Sequence, residues 1–289
     1  MEAIEKARAL RCWYGPVDPQ PLAGGITNTN FVVTDNSGKF VVRIGDDIPE
    51  HGIMRFNELA TSRAAFAAGI SPEVVHAEPG ALVLRFIDGK TFGPEDVRKP
   101  ENLQRIIPLI RKVHDELPNH FRGAALVFWV FHVLRDYTQT LKEADSRMLG
   151  QLDSLSEMAA ILEKAVGPVE VVFGHNDLLA ANFIDDGARL WLIDWDYAGY
   201  NSPLFDLGGL ASNNEFSPEQ ERWLLEAYYG APADDGLLRR YEAMKCASLL
   251  RETMWSMVSE VHSTIDFDYI AYTDENLARF RRAYETFSG

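Results

Sequence analysis

Cysteine is nearly absent from this chain: Cys12 and Cys246 are the only two in 289 residues. Two thiols without metal-ligand spacing exclude a disulfide framework or a zinc cluster as the stabilising principle. Long apolar runs are missing as well. None approaches the roughly 20 residues needed to span a bilayer, and the opening MEAIEKARALRCW has no secretory-signal pattern. These absences predict a soluble, cytoplasmic protein with no membrane insertion. Positive charge is scarce too: 28 Lys and Arg against 43 Asp and Glu leave a formal net charge of −15. Nucleic acids and anionic membranes need a basic stripe, so they are excluded as partners. The acidity suits a small cationic substrate drawn in at long range, and serves solubility equally well. There is no internal repeat, and no Gly-x-x-x-x-Gly-Lys-Ser/Thr loop of the Walker type.

What the chain does have is concentrated between Phe173 and Asp196, in FGHNDLLAANFIDDGARLWLIDWD. One short loop holds His175, Asp177 and Asn182, and the apolar run LWLI then delivers Asp194 and Asp196. Grouped carboxylate and amide oxygens suit a hard cation such as Mg²⁺, held jointly by protein and nucleotide phosphates. Phosphoryl transfer needs that ion and one further carboxylate beside the acceptor hydroxyl. The pattern predicts a hairpin from Asn182 to Ile193 that turns at Asp185-Asp186-Gly187 and sets Asn182 beside Asp194. The turn itself accounts for Asp185 and Asp186. Asp194 differs, because an acid that ends an apolar strand is costly unless paired or metal-bound.

These residues resemble the choline/ethanolamine kinase branch of the aminoglycoside-phosphotransferase-like, protein-kinase-like superfamily. His175, Asp177 and Asn182 match its His-x-Asp…Asn catalytic loop. Ile193, Asp194, Trp195, Asp196 and Tyr197 match its metal-binding strand, and Asn201, Phe205, Asp206 and Gly208 match the segment after it. The likeness extends from Gly24 to about Tyr272 and is weakest between Pro94 and Val169. It implies an ATP- and Mg²⁺-dependent transfer of the γ-phosphoryl group to the hydroxyl of choline, with ethanolamine as a second acceptor. Asp177 would be the base, and Asn182 and Asp194 the metal ligands. Asp196 would bind a second ion or its water shell, while His175 and Asp206 would brace the loop.

Fold class is α+β on the same grounds: a bilobal arrangement with a small five-stranded antiparallel sheet plus helix, then a mainly helical lobe. A short helix is expected before Cys12, with a proline-marked extended lead-in after it. Strands are expected over 31–34 and 40–44, joined at Asp35-Asn36-Ser37-Gly38, and over 74–77 and 81–87. Helical periodicity covers 54–68, with Gly69 as its cap, and then 101–117, 130–149, 152–166, 218–229, 236–262 and 274–286. The boundary is placed near Asp88, giving a nucleotide-binding lobe over 1–88 and a catalytic and substrate-binding lobe over 89–289.

The smaller lobe should grip the nucleotide. In LAGGITNTN, Gly25, Thr27 and Asn28 precede the first hairpin, where a bare backbone can approach phosphates; a plain Gly-Gly turn is the alternative. Arg43 lies inside the strand FVVRI and must find a partner or a polar cleft, with Glu58 as the candidate to fix it for a phosphate contact. An edge-strand Arg and a surface acid are the ordinary readings of these two. The resemblance puts the adenine against backbone near Phe86 and Ile87.

For the acceptor, aromatic faces attract quaternary ammonium. Trp255, Phe267 and Tyr272 match the family's pocket segment, and Tyr197 follows the metal strand. Core packing is the competing reading for Phe267 and Trp255. Glu252 departs from the eukaryotic pattern, which tends to have a second Trp there, and so puts exclusive use of choline in doubt. The same chemistry on an aminoglycoside, thiamine or another small alcohol stays open, as does a catalytically degenerate binding module. Intact Asp177, Asn182 and Asp194 speak against the last. Oligomeric state is not legible.

Overall fold

Two hydrophobic clusters organise the computed structural model, which describes residues 2–22 and 27–289. The smaller forms where helix α1 (Ala3–Arg8) lies against a five-stranded antiparallel sheet. Its strands are β1 (Gln20–Leu22), β2 (Thr29–Asp35), β3 (Gly38–Ile44), β4 (Val74–Glu78) and β5 (Ala81–Arg85), in the order β1-β2-β3-β5-β4. Alternation puts Phe31 and Val33 of β2, and Phe40 and Val42 of β3, on the buried face. The β2–β3 turn is pinned where the Asp35 carboxylate accepts the Ser37 N–H at 2.7 Å. Helix α2 (Arg55–Ala67) follows β3 and ends at Gly69, whose φ of +69° suits a residue without a Cβ.

β1 occupies part of the proline-marked stretch read as a lead-in. It is exposed and, among the described residues, pairs only with β2, which is where a strand tolerates Pro21.

Beyond β5 the chain crosses through β6 (Lys90–Thr91) into helices α3 (Pro94–Val97), α4 (Pro100–Asp115), α5 (Val130–Glu143) and α6 (Leu149–Val166). The helix expected over 130–149 is corrected to end at Glu143 as α5, and the one expected over 152–166 begins at Leu149 as α6. Asp145 sits between them at φ +51°, a left-handed conformation that Asp tolerates better than most residues, and Ser146 N–H returns to Leu141 O at 3.2 Å. Then come β7 (Val172–Gly174), β8 (Phe183–Asp185), β9 (Leu190–Leu192) and β10 (Gly199–Asn201). β8 pairs with β9 as the expected hairpin, β6 adds to its outer side, and β7 pairs with β10.

Helices α7 (Pro203–Asn213), α8 (Pro218–Tyr229), α9 (Asp235–His262) and α10 (Tyr269–Ser288) complete the chain. α9 is the axis of the larger core and packs against α5, α6, α7 and α10. α10 begins five residues earlier than the periodicity suggested, because Asp268 caps it by accepting the Ala271 N–H at 2.9 Å. Among the described residues no helix is long and apolar enough to cross a membrane.

Candidate active site

The loop between β7 and β8 takes its shape from one buried acid on α7. Asp206 accepts main-chain N–H groups from His175 at 2.8 Å and Asn176 at 2.7 Å, and His114 Nε2 lies 3.0 Å away. Burial opposes ionisation of Asp206, but these bonds, led by His114, outweigh it and hold the carboxyl below its usual range. Asn176 is held at φ +65°, with its side-chain amide donating to Tyr197 O and Gly199 O.

His175 is fully buried. Its Nε2 donates to Ile193 O at 2.9 Å, which leaves Nδ1 to accept the Asp177 N–H at 3.2 Å. Burial lowers its pKa, so it remains neutral and ties the loop to the end of β9.

Asp177 and Asn182 are joined directly, because Asn182 Nδ2 donates to Asp177 O at 2.9 Å and turns its amide oxygen away from that contact. Ile193 N–H donates to Asn182 O at 3.0 Å, so the hairpin does set Asn182 beside Asp194. Asp194 stands at φ +72°, a conformation that costs on the order of 1–3 kcal/mol for a non-glycine residue. The Asp177 carboxyl is pushed up to about 8, first by desolvation and then by Glu252, Asp194 and Asp196, against a lowering by Arg251. Such a carboxyl is a stronger base than an exposed one.

Across the cleft, Arg43 reaches down from β3. Its Nε is 2.8 Å from Glu58 Oε1 on α2, and its Nη2 is 2.9 Å from both Asp194 Oδ1 and Asp196 Oδ1. Glu58 is buried, not a surface acid, and Arg43 does not point to solvent. Burial raises the cost of charge on Asp194, but Arg43 outweighs it and keeps the carboxyl low. Asp196 is enclosed further: Thr27 Oγ1 donates to it at 2.9 Å, Asn28 Nδ2 at 3.3 Å and Arg55 Nη1 at 3.0 Å. Gly25 lies outside the described residues. Phe86 and Ile87 follow β5, half-buried, with Phe86 N–H donating to Lys39 O at 3.0 Å.

The donor set fits a hard cation. Asn182 offers an amide oxygen and Asp194 a carboxylate, and both are oxygen ligands. Among the described residues no group of three or more His, Cys, Asp or Glu is arranged to hold a metal.

Beside the β7–β8 loop, Asp177 and Glu252 line one narrow cleft of about 10 Å³ with Asn213, Ser248 and Arg251. Tyr272 Oη donates to Glu252 at 2.8 Å and Arg251 Nη1 at 3.1 Å. Tyr197 is buried, and its hydroxyl accepts Trp255 Nε1–H at 2.8 Å. Phe267 is 42% exposed and meets Tyr272 edge-on, with ring centroids 5.6 Å apart. Sequence reasoning missed Arg55, Arg251 and His51. Arg251 had a signal, since it is a cation in the apolar stretch SLLRETMWSMV. Arg55 had a weaker one, three residues before Glu58.

A sequence profile described as choline/ethanolamine kinase matches residues 20–222. Ethanolamine kinase 2 of Mus musculus is 28% identical, over 93% of this chain and 77% of its own length. Protein LicA of Haemophilus influenzae is 30% identical, over 71% of this chain and 61% of its own. The crystal structure of a choline/ethanolamine kinase family protein from Mesorhizobium loti superposes with a TM-score of 0.79, at 30% identity, over 98% of this chain and 96% of that one. The α+β kinase-like fold follows from that superposition, and a profile match over more than half its residues places the chain in the choline/ethanolamine kinase family, a family of small-alcohol phosphotransferases.

Proposed function

We propose that the chain transfers the γ-phosphoryl group of ATP to the hydroxyl of choline or of its less methylated relative ethanolamine, in the presence of Mg²⁺. The observation that carries this reading is the shared cavity of Asp177 and Glu252, in which a base and a counter-charge for a cation stand together. Asp177 accepts a hydrogen bond from the acceptor hydroxyl and takes its proton late, as the oxygen bonds to the γ-phosphorus and the bond to the β-phosphate oxygen breaks. ADP leaves with that electron pair.

Asn182 and Asp194 are the residues that would hold Mg²⁺, with Asp196 as a further oxygen. Bound there, the ion supplies charge neutralisation on the phosphates. Arg43, fixed by Glu58, is suited to exchange a carboxylate for a phosphate oxygen when nucleotide enters. Thr27 and Asn28 face the phosphates, Gly25 being assigned with them from sequence alone, and the backbone near Phe86 and Ile87 receives the purine at the junction of lobes 1–88 and 89–289. Glu252, Tyr272 and Phe267 flank the acceptor, with Tyr197 and Trp255 backing it from the core.

The test is ADP release by purified protein with ATP, Mg²⁺ and a panel of choline, ethanolamine, thiamine and kanamycin. Stimulation by choline or ethanolamine is expected, and Asp177→Ala should abolish turnover while leaving nucleotide binding intact. Stimulation by kanamycin or thiamine alone would overturn the reading.

A further inference from the structure

Arg251 is an unusual occupant of an acceptor pocket for a cation. It is 4% exposed, and its guanidinium carbon lies 4.1 Å over the Tyr197 ring and 5.6 Å over Phe128. Nη1 pairs with Glu252, and the buried Tyr137 hydroxyl is a second polar neighbour of the guanidinium. Besides these polar neighbours the group is held by aromatic faces, in the way an arginine plane stacks on rings.

That placement takes a cation site away from the substrate. A trimethylammonium group cannot donate hydrogen bonds and depends on open aromatic faces. Here one face of Tyr197 already carries a positive charge, and only 7% of the residue is exposed. Trp255 is closed as well. His51 stacks on it at 5.0 Å with planes 28° apart, its indole N–H is given to Tyr197, and the residue is 3% exposed. What remains beside Asp177 is the Glu252 carboxylate, Ser248 and Asn213, with Leu178 and Phe205 as the apolar part of the wall. The oxygens of the three polar side chains can accept further hydrogen bonds, which an ammonium bearing N–H groups supplies and a fully methylated one cannot.

We infer that Arg251 is a specificity-determining residue: by occupying the Tyr197 face and orienting Glu252, it makes the pocket select a primary ammonium over a quaternary one. This rests on the amino-alcohol kinase reading above. The experiment measures kcat/KM for ethanolamine, N-methylethanolamine, N,N-dimethylethanolamine and choline, with ATP and Mg²⁺. For the wild-type chain the value is expected to fall with each methyl group, by at least about tenfold from ethanolamine to choline. Arg251→Met frees the ring face, and should shift that ratio at least about tenfold toward choline while the ATP KM moves less than about twofold. Arg251→Lys keeps the charge without the flat stack and should shift it less, in the same direction. If the Met variant does not fold, the wild-type series and the Lys variant decide. A wild-type preference for choline, or a ratio unmoved in a folded variant, overturns the inference alone. Failure of all four alcohols to be phosphorylated would instead overturn the proposed function.

Discussion

Asp206 Oδ1 accepts the main-chain N–H of Asn176 at 2.7 Å, and through this bond α7 dictates the backbone path on which Asp177 stands. Its other oxygen takes the His175 N–H and faces His114. Asp206→Ala would leave three buried donors without an acceptor, at a cost of about 3–5 kcal/mol. Asp206→Asn is milder, and still turns an amide N–H₂ toward a donor. Its kcat is expected to fall while both KM values hold, and a variant with wild-type kcat would remove Asp206 from any positioning role.

Glu58 holds two guanidinium groups at once, Arg43 at 2.8 Å and Arg55 at 2.8 Å. Glu58→Gln keeps the shape and removes the charge. The ATP KM should rise about tenfold, the equivalent of one charge-assisted hydrogen bond, with the acceptor KM unchanged. Initial-rate kinetics varying each substrate in turn separates the two.

Trp255 donates to the Tyr197 hydroxyl from within the core, so Trp255→Ala would confuse pocket loss with a cavity costing about 3–5 kcal/mol. Trp255→Phe removes the donor and keeps most of the volume. The acceptor KM is expected to rise about fivefold, as for the loss of one hydrogen bond, and the ATP KM to stay put. Equal movement of both would assign Trp255 to packing.

His51 is buried between Tyr137 and Ser259, with Nδ1 3.3 Å from the Tyr137 hydroxyl and Nε2 3.0 Å from Ser259 Oγ. Burial, aided by Arg251 and His262, lowers its pKa from 6.5 to about 3. The sign follows directly. Above pH 6.5 the imidazole is neutral in folded and unfolded chains alike, so stability is complete. Between 6.5 and 3 only the unfolded chain takes up the proton, and stability falls by about 1.4 kcal/mol per pH unit from this group. Denaturant melts from pH 7 to 4 should therefore show a shallower loss for His51→Gln than for the wild type.

Much of this arrangement was legible because its signals are local. The Asp-Asp-Gly turn between two apolar runs fixed the hairpin register and hence the meeting of Asn182 with Asp194. Helix α2 announced itself by periodicity and Gly69. What escaped was set at long range. β1 has too few residues and too much proline to read as a strand, and forms because β2 offers it an edge. Arg55 and Asp196 meet across 141 positions, and no local pattern encodes that. Arg251 stood out only as a cation among apolar neighbours, and its stacking partner Tyr197 is on a different segment.

Helix α9, 28 residues long and about 42 Å from end to end, presents Arg251, Glu252 and Trp255 within little more than one turn near its middle. Asp177, Asn182, Asp194 and Asp196, the proposed base and oxygen ligands, sit elsewhere, on the hairpin and loops between β7 and β10. On the proposed assignment, heredity would edit the acceptor by changing one turn of one rod, with the proposed phosphoryl-transfer residues left as they are. Divergence of substrate preference between related chains of this build should accordingly concentrate in that turn and in the neighbouring start of α10.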